Sequence, residues 1–294
     1  MSVHVTAEHD KSHYYVPHGS HWPIVGSIGL FTTLVGAALW LEDVSIGHFV
    51  MPLGMLIIVF MMFGWFGTVI RESLSGAYNE QVDRSFRWGM TWFIFSEVMF
   101  FAAFFGALFY ARTFSLPWLG GEGKFLFTNL LLWRGFESAW PTNGPAGIGG
   151  AFKSMEALGV PALNTAILLT SGLTVTISHW ALKAGNNRKT SLFLLFTVLL
   201  GFSFVCLQAM EYHHAYTVQN LTLNSGIYGS TFFMLTGFHG LHVTIGAIML
   251  TVMLGRSLKH HFTPQHHFAF EAVSWYWHFV DVVWLGLYIF VYWL

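Results

Sequence analysis

The sequence predicts an all-α integral membrane bundle of seven transmembrane helices, and three observations carry that prediction. Charged residues make up 9% of 294, while hydrophobic residues reach 54% and Phe, Trp and Tyr together 18%, proportions outside those of a soluble globular domain. Seven apolar stretches are each long enough to cross a bilayer core of about 30 Å, which takes roughly 20 helical residues. None of them shows the alternation of a membrane β-barrel, and backbone groups in hydrocarbon must be satisfied within the segment, so helix is the expected form.

Taken in order, residues 1–22 form a polar tail with five histidines and one lysine. It has no apolar h-region, so a cleavable secretory signal is not expected and the tail should remain in the mature chain. A two-helix segment follows over 23–70, as Pro23 to Leu41 and Phe49 to Ile70, and then a charged inner loop over 71–87. Residues 88–294 supply five further spans: Trp88 to Ala111, Val160 to Leu182, Leu192 to Met210, Ile227 to Leu254 and Phe268 to Leu294. Between the first two of these lies a long outer loop, 114–159, rich in Gly and Pro. Its apolar run Lys124 to Phe136 is too short to span and suits an interfacial helix or a docked loop.

Orientation follows from the basic residues. With the N-terminus inside, the inner loops hold Lys11, Arg71, Arg84, Arg87, Lys183, Arg188, Lys189, Arg256 and Lys259, and the short outer loops hold none. Arg112, Lys124, Arg134 and Lys153 fall in the long outer loop, where translocation tolerates charge. N-in and C-out is therefore expected, with Trp22, Trp40, Trp88, Trp118, Trp275 and Trp293 among the rings at headgroup level near span ends. A formal charge of -1 offers no footprint for nucleic acid. Cys206, the single cysteine, lies in an apolar run and is expected to pack as a small apolar side chain.

Ionisable groups inside hydrocarbon are costly, so each one needs a partner or a cavity. Glu97 lies nine residues beyond Trp88, about 13 Å deep at the helical rise. His239 and His242 stand three apart in the sixth span, and His278 and Asp281 three apart in the seventh, so each pair shares a helix face. The five groups fall at similar depth. Three readings fit them: histidine ligands to a haem or metal, a proton relay, or a hydrogen-bonded polar core that fixes helix register. Spacing does not choose among the three.

Surface or interfacial roles suit Glu211, His213 and His214 at an outer helix end, and His260, His261, His266 and His267 in an inner loop. His179 sits near the inner end of the fourth span, one turn before Lys183. Gly237, Gly240 and Gly246 fit close helix packing. The sequence carries no paired-Cys metal site, no phosphate-binding loop and no nucleophile with a placed base.

Two stretches give the chain a family resemblance: Gly226 to Gly246 (GIYGSTFFMLTGFHGLHVTIG) and His266 to Leu285 (HHFAFEAVSWYWHFVDVVWL). Supporting runs are Arg71-Glu72-Ser73, Phe93 to Phe101 (FIFSEVMFF), Val160 to Thr165 (VPALNT) and Leu207 to Tyr212 (LQAMEY). Over its whole length the sequence resembles subunit III of haem-copper cytochrome c oxidases. That resemblance implies a chain that holds no cofactor of its own, with haems and coppers in partner subunits I and II. Its main contact would be subunit I.

The implied complex reduces dioxygen to water with electrons from cytochrome c and pumps protons. The implied role of this chain is to support proton uptake, to protect the active-site subunit from turnover-dependent inactivation, and to offer a route for dioxygen. The first two helices would pack apart from the last five, leaving a V-shaped cleft filled by structural phospholipids.

Glu97 matches the family's intramembrane carboxylate, and Trp65, Arg71, Glu72 and Arg256 fall where relatives contact lipid headgroups. His239, His242 and His278 are then not expected to be metal ligands. The sequence departs from relatives at Ala77 and Tyr78, after the loop glycine, and at Phe66, Gly67 and Thr68. A third loop longer than in mitochondrial forms suggests a bacterial inner-membrane protein. Two other readings are a subunit of a quinol-oxidising relative, which usually lacks the first two helices, and an independent haem-binding membrane protein or proton channel.

Overall fold

The computed structural model describes residues 14–16 and 19–294, so most of the polar tail, and the expectation that it persists in the mature chain, lies outside the described residues. Among the described residues the regular elements are all helical. They are α1 (Trp22–Leu41), α2 (Gly47–Leu74), α3 (Glu80–Tyr110), α4 (Leu116–Leu119), α5 (Leu126–Leu131), α6 (Val160–Lys183), α7 (Asn187–Thr217), α8 (Gly226–Leu258) and α9 (Phe268–Leu287). Six of the helical stretches are long and apolar enough to cross a membrane: α1, α2, α3 with its continuation to Leu119, α6, α7 and α8.

The helix expected to be the seventh span, α9, has 20 residues and runs on through a six-residue π-helical turn, Tyr288–Trp293. Its sequence carries Glu271, His278, Asp281 and four Trp or Tyr rings, whose polar handles lower its mean hydropathy although much of the helix is buried. Trp277, Val280 and Leu287 are fully enclosed.

The charged stretch Arg71 to Arg87, expected as a loop, is mostly helical. Helix α2 continues through Arg71 and Glu72, which leaves Arg71 in the last turn, where a cation favours the dipole. Helix α3 starts at Glu80 because Asn79 Oδ1 accepts the Val82 N–H at 2.9 Å and because Glu80 and Asp83 occupy the first turn. Residues 75–79 alone connect the two, turning at Gly76 with φ +73°, a left-handed conformation that suits glycine.

By internal contacts the chain forms two compact units, one ending at Trp88 and the other comprising Gly89–Leu294. In the first, α1 and α2 make a hairpin through small residues, as membrane helices do where close backbone approach replaces the hydrophobic drive. A Cβ on Gly36 would stand 2.2 Å from the Met51 backbone nitrogen, and one on Gly54 would stand 2.3 Å from the Thr33 nitrogen. Apolar side chains such as Phe31, Phe49 and Phe63 remain exposed.

In the second unit, α6, α7, α8 and α9 enclose an aromatic core. Trp277 lies between Gly201 of α7 and Gly246 of α8, where a Cβ would come within 2.8 Å of the ring at either position. Gly246 thus fits its expected packing role, whereas Gly240 has open space before it. Cys206, expected to be packed, is exposed. It shares the outward stripe of α7 with Leu199, Phe202 and Met210, since an apolar thiol loses nothing by facing hydrocarbon.

The run Lys124 to Phe136 contains a short 3-10 turn and the six-residue α5. Asn129 Nδ2 reaches the carbonyls of Leu119, Trp133 and Phe136. Arg112 lies over the Trp140 ring at 5.1 Å and donates to the Leu294 terminal oxygen, tying the end of α3 to the C-terminus.

This packing predicts that Gly36→Val destabilises the α1–α2 hairpin by about 1–3 kcal/mol, the usual cost of overpacking. Gly67→Ala, where nothing lies within 4 Å, should change little. Thermal denaturation of the purified protein checks the pair, and equal midpoints for the two variants would contradict the close approach.

Candidate functional site

Glu97, His239, His242, His278 and Asp281, expected at similar depth, do not form one cluster. The structure distributes them over three pairings, each of which links different helices of the second unit.

The first pairing joins α3 to α8. His242 Nε2 lies 2.8 Å from Glu97 Oε2, across 145 residues of sequence, and His242 Nδ1 lies 2.6 Å from the Phe238 carbonyl. A carbonyl can only accept, so Nδ1 carries a hydrogen. The contact to Glu97 then holds one proton, either on the carboxyl facing a neutral ring or on an imidazolium facing a carboxylate. Side-chain exposure is 11% for His242 and 23% for Glu97. Phe101 stands edge-on to the imidazole at 5.0 Å. The pair is thereby walled by aromatic carbon and held by one charge-assisted or neutral hydrogen bond of good length.

The second pairing joins α8 to α9. His239 is fully buried, and its Nε2 donates to the Val280 carbonyl at 3.1 Å. Its ring packs against Trp284 and Phe204. Nδ1 has no hydrogen-bond partner among the described residues, which is the bare acceptor side of a neutral imidazole.

The third pairing joins α9 to α6 and involves residues that the sequence did not single out. His278 Nε2 lies 3.2 Å from Thr176 Oγ1, while its Nδ1 is 3.5 Å from Asp281 Oδ2. A Cβ on Gly172 would lie 2.3 Å from that same Asp281 oxygen, so the carboxylate packs directly on the α6 backbone. Helical spacing announces His278 and Asp281 as a pair. Nothing in the spacing announces Thr176 or Gly172, which stand about a hundred residues away.

The residues expected at lipid headgroups divide in two. Trp65 is half exposed and stacks on Phe66 at 5.9 Å, and exposed Arg71 donates to Thr68 at 3.2 Å. Glu72 is taken by the protein, accepting from the Tyr78 hydroxyl at 2.8 Å. Burial, with Glu72 beside it, pushes the Tyr78 hydroxyl well above the usual phenol range, so it stays a donor. Arg256, expected to face headgroups, is instead 8% exposed. Its guanidinium lies 4.6 Å over the Phe262 ring, because the loop after α8 folds back and an aromatic face takes the place of a phosphate.

One grouping escaped the sequence altogether: His179 near the end of α6 comes together with His267 and Glu271 at the start of α9. Glu211, expected at an outer interface, is also buried. It accepts from the Tyr292 hydroxyl at 2.8 Å.

The pattern described as cytochrome c oxidase subunit III matches residues 12–294. Among curated proteins, cytochrome c oxidase subunit 3 of Coturnix japonica is 43% identical over 286 residues, covering 97% of this chain and 98% of the relative. The proteins of the same name from Oncorhynchus mykiss and Papio hamadryas are 42% and 43% identical with the same coverage. A match of this extent takes in every helix from α1 to α9, and the chain belongs to the cytochrome c oxidase subunit III family.

Proposed function

We propose that this chain is the non-catalytic third subunit of a proton-pumping haem-copper oxidase that reduces dioxygen with electrons from cytochrome c. In this reading it sits against subunit I, within reach of subunit II, as a seven-span protein with its N-terminus inside and α9 as the last span. Its length of match to the named relatives carries the proposal. The longer outer loop favours a bacterial inner membrane as its location.

The chemistry of the intramembrane groups supports a chain without a redox centre of its own. Each of His239, His242 and His278 already has a nitrogen committed to a protein oxygen, at 3.1, 2.8 and 3.2 Å respectively. An imidazole that ligates iron offers a free lone pair and anchors its other nitrogen on a second-sphere acceptor. His242 has both nitrogens engaged, and His278 has Asp281 on its remaining one; His239 alone keeps a free lone pair, on Nδ1, and its ring is packed between Phe204 and Trp284. The helices use these groups on one another. A subunit built this way steadies its neighbour and offers polar stepping points, and it leaves electron transfer to other chains.

Lipid contact is the second part of the proposal. Trp65 and Arg71, both outward-facing, supply an interfacial ring and a cation for a phosphodiester. Glu72 orients the loop through Tyr78, and Arg256 braces the α8–α9 connection from within.

Two outcomes follow. Glu97→Gln, which keeps size and removes the charge, should leave the haem content of the assembled complex unchanged on its optical spectrum; haem loss would contradict a chain that ligates none. Arg71→Ala combined with Trp65→Ala should remove about one tightly bound phospholipid from the complex, counted by native mass spectrometry. An unchanged count would reject the lipid assignment.

A further inference from the structure

The grouping of His179, His267 and Glu271 lies apart from the three intramembrane pairings and is used by none of them. One ligand-capable atom from each side chain lies within 4.8 Å of the other two. His267 caps the start of α9 and is 9% exposed, and Glu271 follows it by four residues, in the first turn. His179 comes from α6, one turn before its end at Lys183, and its ring stands 5.4 Å from that of His267.

The hydrogen bonding of His267 sets which nitrogen is available. Nδ1 lies 3.2 Å from the Thr263 carbonyl, which can only accept, so Nδ1 holds the hydrogen and Nε2 keeps its lone pair. That Nε2 is buried and has no hydrogen-bond partner among the described residues, and the same holds for His179 Nε2. A backbone carbonyl fixing one ring nitrogen while the other points at an unfilled polar spot is the arrangement that outer-sphere oxygens impose on metal-ligating histidines.

We propose that His179, His267 and Glu271 form a divalent-cation site, with zinc the ion its donors fit best. Two imidazoles and a carboxylate are a common three-ligand set for Zn²⁺, with water completing a tetrahedron at bond lengths of about 2.0–2.2 Å. Two imidazole donors out of three disfavour Ca²⁺ and Mg²⁺, which take oxygen shells. Ligand atoms on a tetrahedral ion stand roughly 3.3 Å apart at such bond lengths, so the three side chains close inward by small rotations. The ion would staple the end of α6 to the start of α9, two elements joined in sequence only through α7 and α8. The site lies within a single chain, so it does not depend on the role proposed above.

The test uses the intact oxidase complex, stripped with a chelator and dialysed against radioactive ⁶⁵Zn²⁺ at micromolar concentrations. Wild type should bind one zinc per complex more than His267→Asn or Glu271→Gln, or hold that zinc at least tenfold more tightly. His266→Asn, a neighbouring exposed histidine outside the trio, should bind as wild type does. Equal zinc binding by wild type and both ligand variants overturns the proposal, as does an equal loss in His266→Asn. Retention of this chain in the purified complex, read by denaturing gel or mass spectrometry, shows that each variant has assembled. Should His267→Asn fail to assemble, Glu271→Gln, which keeps size and shape, carries the same comparison.

Discussion

A polar side chain in hydrocarbon finds no water, so it must be met by another part of the protein or by lipid. The five charged or imidazole groups of α3, α8 and α9 meet that requirement mainly across helices: Glu97 with His242, His239 with the Val280 carbonyl, and His278 with Thr176 and, within α9, Asp281. Each bond between helices fixes the rotation and the height of one helix against another. Apolar side chains slide past one another at little cost, whereas a carboxyl that must meet one imidazole nitrogen has a single register. The polar groups therefore specify how α3, α6, α8 and α9 lie together.

The two compact units solve close packing differently. In the α1–α2 hairpin the backbones themselves touch, through Gly36 and Gly54, and the remaining side chains face outward. In the second unit Trp277 fills the space that Gly201 and Gly246 leave open, while its indole N–H donates to Ser171 at 2.9 Å. Trp284 likewise donates to Thr165. Large rings with one satisfied polar atom pack a membrane core densely and still take part in its hydrogen bonding. One unit thus packs backbone on backbone, and the other has a protein-like interior.

Much of this was legible from residue order. All seven expected stretches appear as helices, six of them long and apolar enough to cross a membrane. The i, i+3 spacing paired His278 with Asp281. What spacing could not supply was the partner from a distant helix: Thr176, Gly172 and the His179 contact with His267 all depend on how α6 meets α9. Charge density also misled at Arg71 to Arg87, because a run of mixed charges reads as solvated loop yet suits exposed helix ends equally well. Arg256 was read by its position near an interface, but the fold of the following loop put Phe262 over it. Cys206 was read by its neighbours in sequence, and in a membrane apolar neighbours do not imply burial.

The account rests on Glu97 and His242 acting as a coupled pair, and a double-mutant cycle tests that most directly. Unfolding free energies would be measured by denaturant titration for wild type, Glu97→Gln, His242→Gln and the double variant. The account predicts a coupling of about 1 kcal/mol or more, at the upper part of the range seen for hydrogen bonds between membrane helices. Additivity to within about 0.3 kcal/mol, the behaviour of independent sites, would contradict it.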